Sequence, residues 1–184
     1  MDSKQKFDVS KKLSYHLRHA PDKLGIELDI NGWTDVDTLL AKLRSKYRLN
    51  ISFDDLEDIV ETNDKKRFAF DDTLQRIRAN QGHSVEVDLD LPVLTPPDVL
   101  YHGTVERFVP SIMCDGLHPM NRHAVHLSAD LETAKKVGSR RGEPVILKID
   151  ANRMASLGHK FRRSENGVWL IDHVPAEFIT RTSL

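Results

Sequence analysis

The stretch Leu89–Val99, LDLPVLTPPDV, divides the chain. Pro92, Pro96 and Pro97 have no amide hydrogen and hold φ fixed, and each biases the residue before it toward extended backbone. A helix cannot run through this segment. The reading is therefore an extended strap between two lobes, residues 1–91 and 92–184, with an expected cleft where they meet.

Upstream of the strap the pattern is helical. In FDVSKKLSYHLRH, Phe7 to His19, Leu13 and Leu17 stand four apart on one face, as the first helix requires. NGWTDVDTLLAKLRSK predicts a turn at Asn31-Gly32, an N-cap at Thr34 or Asp35, and an inward face of Val36, Leu39, Leu40 and Leu43. SFDDLEDIVETND offers a capping box, Ser52 with Asp55, ahead of Leu56, Ile59 and Val60. Then the period changes from helix to strand. KRFAF and TLQRIRA, joined across Asp71-Asp72, read as a β-hairpin. Three helices followed by a hairpin suggest a winged-helix unit, a shape that commonly meets nucleic acid.

Downstream, short strands alternate with helices. DVLYHGT, AVHLS, PVILKID and NGVWLI are strand-like. VERFVPSIMCDG is a helix closed by Gly116, and DLETAKKVG one capped near Asp130 and closed by Gly138. The fold class expected for the whole is α+β.

Composition narrows the partners. Among 184 residues, 39% are apolar and 30% charged, the balance of a soluble globular protein. No apolar run nears the roughly 18 residues that span a bilayer. The opening MDSKQKFDVSKK lacks the apolar centre of a secretory signal, and the single Cys114 fits a reducing compartment, so the cytoplasm is expected. A net charge of −1 gives no global field for nucleic acid, so an anionic partner needs a local cluster. Residues 1–95 carry 15 Lys and Arg against 18 Asp and Glu, while residues 96–184 carry 12 against 10.

Several short stretches concentrate chemistry. LSYHLRHAP places His16 and His19 three apart, with Arg18 beside the second. RIRANQGHS puts Arg76 and Arg78 on one strand face beside a Gly-His-Ser turn. That makes either a phosphate-sized set of donors or a solvated hairpin face. In YHGT a histidine precedes Gly103, which would let a ligand approach the backbone; a core histidine is the plain alternative. In NRHAVHLSAD, His126 and Ser128 share one side of a strand, with Arg122 just upstream. His118, His123 and His126 have no common zinc-ligand spacing, and no metal is expected. In SENGVWL, Trp169 reads as packing.

Taken in order, LSYHLRHAP, GWTDVDTLL, KKRF, IRANQGHS, LYHGT, VHLSAD and ENGVWL make the chain resemble the RNA 2′-phosphotransferase family of KptA type over almost its whole length. The resemblance implies a winged-helix RNA-facing lobe and an NAD-binding lobe of ADP-ribosyltransferase fold. It implies an Arg-His-Arg-Arg set, matched by Arg18, His19, Arg78 and Arg122. The family's His-His-apolar triad is matched by His102, His126 and Val168, with Gly103, Thr104 and Ser128 also holding NAD.

The activity implied consumes NAD in two steps. The RNA 2′-phosphate attacks C1″ and expels nicotinamide; the 2″-hydroxyl then attacks the phosphorus. The products are ADP-ribose 1″,2″-cyclic phosphate and RNA with a free 2′-OH, a reaction of tRNA processing. A phosphate monoester is already an anion, so it needs placement by cations more than a general base. The partners expected are RNA bearing an internal 2′-phosphate and NAD, with no membrane, for a monomer. Two other readings stay open: ADP-ribosylation of nucleic-acid 5′-phosphate ends, and a non-catalytic RNA-binding module.

Overall fold

A computed structural model describes residues 1–182. The chain divides into two compact units, Met1–Asp90 and Leu91–Leu184, each with its own core.

The first unit opens with helix α1, Ser3–Arg18, which begins four residues before the periodicity of the leucines alone suggests. Asp2 and Gln5 explain the difference. They form a capping box, the Asp2 carboxylate accepting from the Gln5 amide and the Gln5 side chain accepting from the Asp2 amide. Val9, Leu13, His16 and Leu17 make the buried stripe of α1. His16 is a core histidine, its Nδ1–H donating to the Ala20 carbonyl at 2.8 Å and its Nε2 accepting from the Tyr47 hydroxyl at 2.7 Å.

A short helix α2, Pro21–Leu24, follows, and its chain reverses at Gly25. Strand β1 (Thr34–Asp35) leads into α3, Val36–Tyr47, whose N-cap is Asp35. The Ser52–Asp55 capping box starts α4, Phe53–Glu61. The hairpin is β2 (Phe68–Phe70) with β3 (Arg76–Ala79), antiparallel. Because β1 also pairs with β3, the sheet has three strands in the order β1-β3-β2. Leu13, Leu17, Leu39, Leu43, Leu56 and Ile77 are fully buried at its centre.

The second unit carries β4 (Val99–Val105), α5 (Val109–Asp115), β5 (Val125–Leu127), α6 (Leu131–Gly138), β6 (Pro144–Asp150), α7 (Ala151–Ser156), β7 (Arg162–Arg163), β8 (Trp169–Ile171) and β9 (Ile179–Arg181). They form two three-stranded antiparallel sheets, β4-β6-β9 and β5-β8-β7. Paired backbone hydrogen bonds of 2.8 Å between Tyr101 and Ser128 join them. Leu100, Leu127, Leu147, Ile149, Met154 and Phe161 fill the core, and Trp169 packs there too.

Helix α6 ends at Gly138 as the sequence suggests, but without a left-handed turn: its φ is −61°, and the chain runs on into a 3-10 turn, Ser139–Arg141. The reason for a glycine there is packing, because a Cβ on Gly138 would lie 3.0 Å from the Thr104 carbonyl. The break comes at Gly142, whose φ of 138° suits only glycine.

Candidate active site

In the first unit, two motifs far apart in sequence meet at the end of α1. The Arg18 carbonyl accepts from the Ser84 amide at 2.8 Å and the Val85 amide at 3.4 Å. His19 Nδ1 lies 2.9 Å from Ser84 Oγ. Gly82, with φ of 86°, turns its bare Cα toward the Arg18 guanidinium; a Cβ there would lie 3.8 Å from Arg18 Cζ. LRH and QGHS are thus one cluster. Arg18 and His19 sit at the C-terminal end of a 16-residue helix, where the helix dipole favours cations.

The two strand arginines have separate tasks. Arg76 is held by Asp71 at 2.9 Å and by Asp29 at 3.3 Å. Desolvation of the Asp71 carboxyl opposes ionisation, but the Arg76 hydrogen bonds and charge outweigh it and hold the pKa at about 2. Arg78 stacks on Trp33, its Cζ 4.4 Å from the ring centroid. Its Nη1 donates to the Leu89 carbonyl at 3.2 Å and approaches the Asn31 carbonyl at 3.5 Å. These contacts fix where the Arg78 guanidinium stands.

Two residues within the quoted stretches KKRF and RIRANQGHS, Arg67 and Asn80, were not singled out. Asn80 is buried; its Nδ2 donates to the Lys66 carbonyl at 2.7 Å, while Oδ1 has no hydrogen-bond partner among the described residues. Its amide donates to the Arg67 carbonyl, which sets Arg67 beside it on the hairpin. The signal was the polar run ANQGHS, too polar to continue a strand.

The second unit gathers His102, Arg122 and His126. His102 Nδ1 lies 3.1 Å from the His126 carbonyl, which can only accept, so Nδ1 carries the proton and Nε2 presents a lone pair. Arg122 Nη1 donates to His126 Nδ1 at 3.1 Å, so the neutral His126 carries its proton on Nε2. One imidazole presents an acceptor and the other a donor. Burial lowers the His102 pKa; the hydrogen bond to His126 raises it, and the Arg122 and Arg141 charges lower it further. Desolvation, Arg141 and Arg140 likewise lower the Arg122 pKa, from a value so high that the cation persists. Arg140 and Arg141, on the turn after α6, are electrostatic neighbours that the motif reading passed over.

The remaining predicted residues lie around this pair. Thr104 is buried on β4, and Ser128 is half-buried beyond β5. Val168 stands one step before β8; its amide donates to Ser164 Oγ and its carbonyl accepts from the Ser164 amide. Gly103 has a different reason from ligand approach. A Cβ there would lie 1.8 Å from the Ala134 carbonyl, so what comes close to its backbone is α6. Among the described residues, no group of three or more His, Cys, Asp and Glu is arranged to hold a metal ion, and no helix is long and apolar enough to cross a membrane.

The first unit thus holds an Arg-and-His cluster, and the second a donor–acceptor histidine pair under cationic charge. A sequence model of the RNA 2′-phosphotransferase, Tpt1 / KptA family matches residues 4–173. The chain belongs to that family. Relatives named probable RNA 2′-phosphotransferase include one from Trichormus variabilis, 52% identical over 97% of this chain and 98% of its own. One from Streptomyces coelicolor is 51% identical over 97% of both chains. Another, from Burkholderia pseudomallei, is 54% identical over 93% of this chain and 92% of its own.

Proposed function

We propose that this protein is an NAD-dependent RNA 2′-phosphotransferase that removes an internal RNA 2′-phosphate as ADP-ribose 1″,2″-cyclic phosphate, releasing nicotinamide and RNA with a 2′-hydroxyl. The observation that carries this reading is family membership over residues 4–173. The polar clusters support it, because each matches a different part of the reactants.

Arg18, His19, Arg78 and Arg122 are assigned to the phosphate. Guanidinium forks pair with phosphate oxygens two at a time, which orients the monoester as well as attracting it. Their charge matters most when negative charge builds on the phosphoryl oxygens, as in the transfer from RNA to the ribose hydroxyl. His19, unlike the buried His16, is exposed and hydrogen-bonded to Ser84. Its imidazole can bind the phosphate or, in its protonated form, give a proton to the departing RNA 2′-oxygen.

His102, Gly103, Thr104, His126, Ser128 and Val168 are assigned to the dinucleotide, which supplies the electrophilic ribosyl carbon. The fit rests on the histidine pair: a ribose diol or a carboxamide both donates and accepts, and the pair offers one of each. Gly103 serves by letting α6 seat against β4 and so hold its neighbours His102 and Thr104.

The test is incubation with NAD and an oligoribonucleotide bearing one internal 2′-phosphate, followed by mass analysis. The expected result is nicotinamide, the cyclic phosphate and 2′-hydroxyl RNA in equal amounts. A stable conjugate confined to 5′-phosphate ends would overturn the assignment in favour of end ADP-ribosylation. RNA binding with no loss of NAD would overturn it in favour of a binding module.

A further inference from the structure

The first unit is acidic in sum but sharply polarised. Helix α4 carries Asp54, Asp55, Glu57, Asp58 and Glu61, and near its start α1 is neutralised against it by the Lys6–Asp58 ion pair at 2.5 Å. Toward the C-terminal half of α1, Lys12, Lys23 and Lys46 gather around two tyrosines. Lys12 Nζ lies 5.4 Å and Lys46 Nζ 5.9 Å from the Tyr47 ring centroid. Lys23 Nζ donates to the Tyr15 hydroxyl at 3.2 Å and lies 5.9 Å from that ring. Lys46 also donates to the Lys23 carbonyl, and Lys42 lies against Gly25, so α2 and α3 share the patch. Among the described residues none of these four lysines is ion-paired with a carboxylate. Asp22 acts on Lys23 only through space.

The patch is built, not incidental. Tyr15 meets His16 edge to face at 5.0 Å, and the His16–Tyr47 hydrogen bond of 2.7 Å anchors the second tyrosine to the core. Three cations around two rings, with Lys42 beside Gly25, would repel one another without an anion to share, and rings interleaved with lysines offer bases a stacking surface. The patch is also continuous with the proposed phosphate cluster, because Tyr15 lies three and four residues before Arg18 and His19, one helical turn away.

Building on the proposed function, we infer that Lys12, Lys23, Lys42 and Lys46 with Tyr15 and Tyr47 bind the single-stranded RNA flanking the 2′-phosphate through its phosphodiester backbone. This surface gives affinity for length and takes no part in the chemistry. It also explains how a chain with a net charge of −1 holds a polyanion.

The test compares wild type with the triple variant Lys12→Gln/Lys42→Gln/Lys46→Gln, whose Tm is measured first as a check on folding. Binding of an unmodified single-stranded 12-mer is read by fluorescence anisotropy across a salt series. The variant is expected to bind about tenfold more weakly at 0.1 M salt. Its log K against log salt slope should be shallower by about 0.7 for each RNA phosphate that the missing lysines no longer neutralise. With a 2′-phosphorylated 12-mer, KM should rise by a similar factor at unchanged kcat, whereas a 2′-phosphorylated dinucleotide should be turned over as by wild type. Equal 12-mer affinity and salt slope in the two proteins would overturn the inference. If wild type turned over neither 2′-phosphorylated substrate, the phosphotransferase reading would fall instead, and the anisotropy arm would still decide the patch.

Discussion

Arg122 Nη1 donates to His126 Nδ1 at 3.1 Å, and this one bond sets the tautomer of the histidine. A guanidinium has no lone pair to offer, so it cannot receive a proton from the ring. Removing it does two separable things: it deletes a phosphate ligand in the proposed reaction and frees His126 to exchange tautomers. Arg122→Ala is therefore expected to lower turnover about a hundredfold, the scale for losing one preorganised donor. Nitrogen NMR shifts of His126 should show an Nε2–H tautomer in wild type and a mixture in the variant. An unchanged His126 spectrum in the variant would refute the tautomer argument whatever the activity.

His102 gives a pH prediction with a definite sign. Burial lowers its pKa below 6.5, and Arg122 and Arg141 add to the shift. The stability it contributes is fully present above the unfolded value near 6.5 and is lost as pH falls through the lower folded value. An NMR titration of the His102 Cε1 proton should give a midpoint below 6.5. Acidification from pH 7 should cost wild type more stability than it costs His102→Leu, read as the shift in urea midpoint. Equal acid sensitivity in the two proteins would remove His102 as the cause.

Much of the fold was legible because its signals are local. The Ser52–Asp55 capping box, the Asp35 and Asp130 caps and the alternation in RIRA all act within a few residues, and each element stands where those signals put it. Strand β1 was not legible: two residues become a strand only by pairing with β3, more than forty positions later. Strand β9, three residues long, was not legible for the same reason: its partner β6 lies about thirty positions earlier. The Asp2–Gln5 cap was readable but opens on Asp where a capping box usually has Ser or Thr. In the site, motifs marked the residues but not their partners. Nothing near Arg78 in sequence announces Trp33 or the Leu89 carbonyl, and the glycine pair at 103 and 138 makes sense only once α6 lies on β4.

That glycine pair makes a stability prediction. With Ala134 O 1.8 Å from where a Cβ would sit, Gly103→Ala must push α6 off β4, and the obstacle is backbone. Overpacking of this kind costs about 1–3 kcal/mol or more, and a loss at the upper end lowers the Tm of a unit this size by about 12–24 °C. Gly167→Ala is the useful contrast. Unlike Gly103 it has positive φ, and the nearest atom is the far end of the Arg163 side chain at 3.5 Å. Its loss should be confined to the backbone cost of about 1 kcal/mol. Thermal melts of both variants check the order; equal losses would mean that Gly103 is not a packing glycine.

Arg78 poses the sharpest choice between support and chemistry. Its guanidinium stacks on Trp33 at 4.4 Å and caps the Leu89 carbonyl, contacts that alone would make it a brace for the segment after the hairpin. The proposed function adds contact with the phosphate in the second step. A brace and a ligand differ in what accumulates. If Arg78 stabilises charge on the phosphoryl oxygens, Arg78→Ala slows the second step more than the first, and ADP-ribosylated RNA builds up. Turnover to 2′-hydroxyl RNA should fall at least tenfold. Trp33→Phe loosens the brace but keeps the cation, so it should lower Tm without accumulation of the conjugate. Rapid-quench sampling with mass analysis reads both. Full turnover by Arg78→Ala, with only a lowered Tm, would leave Arg78 as a brace and take it out of the reaction.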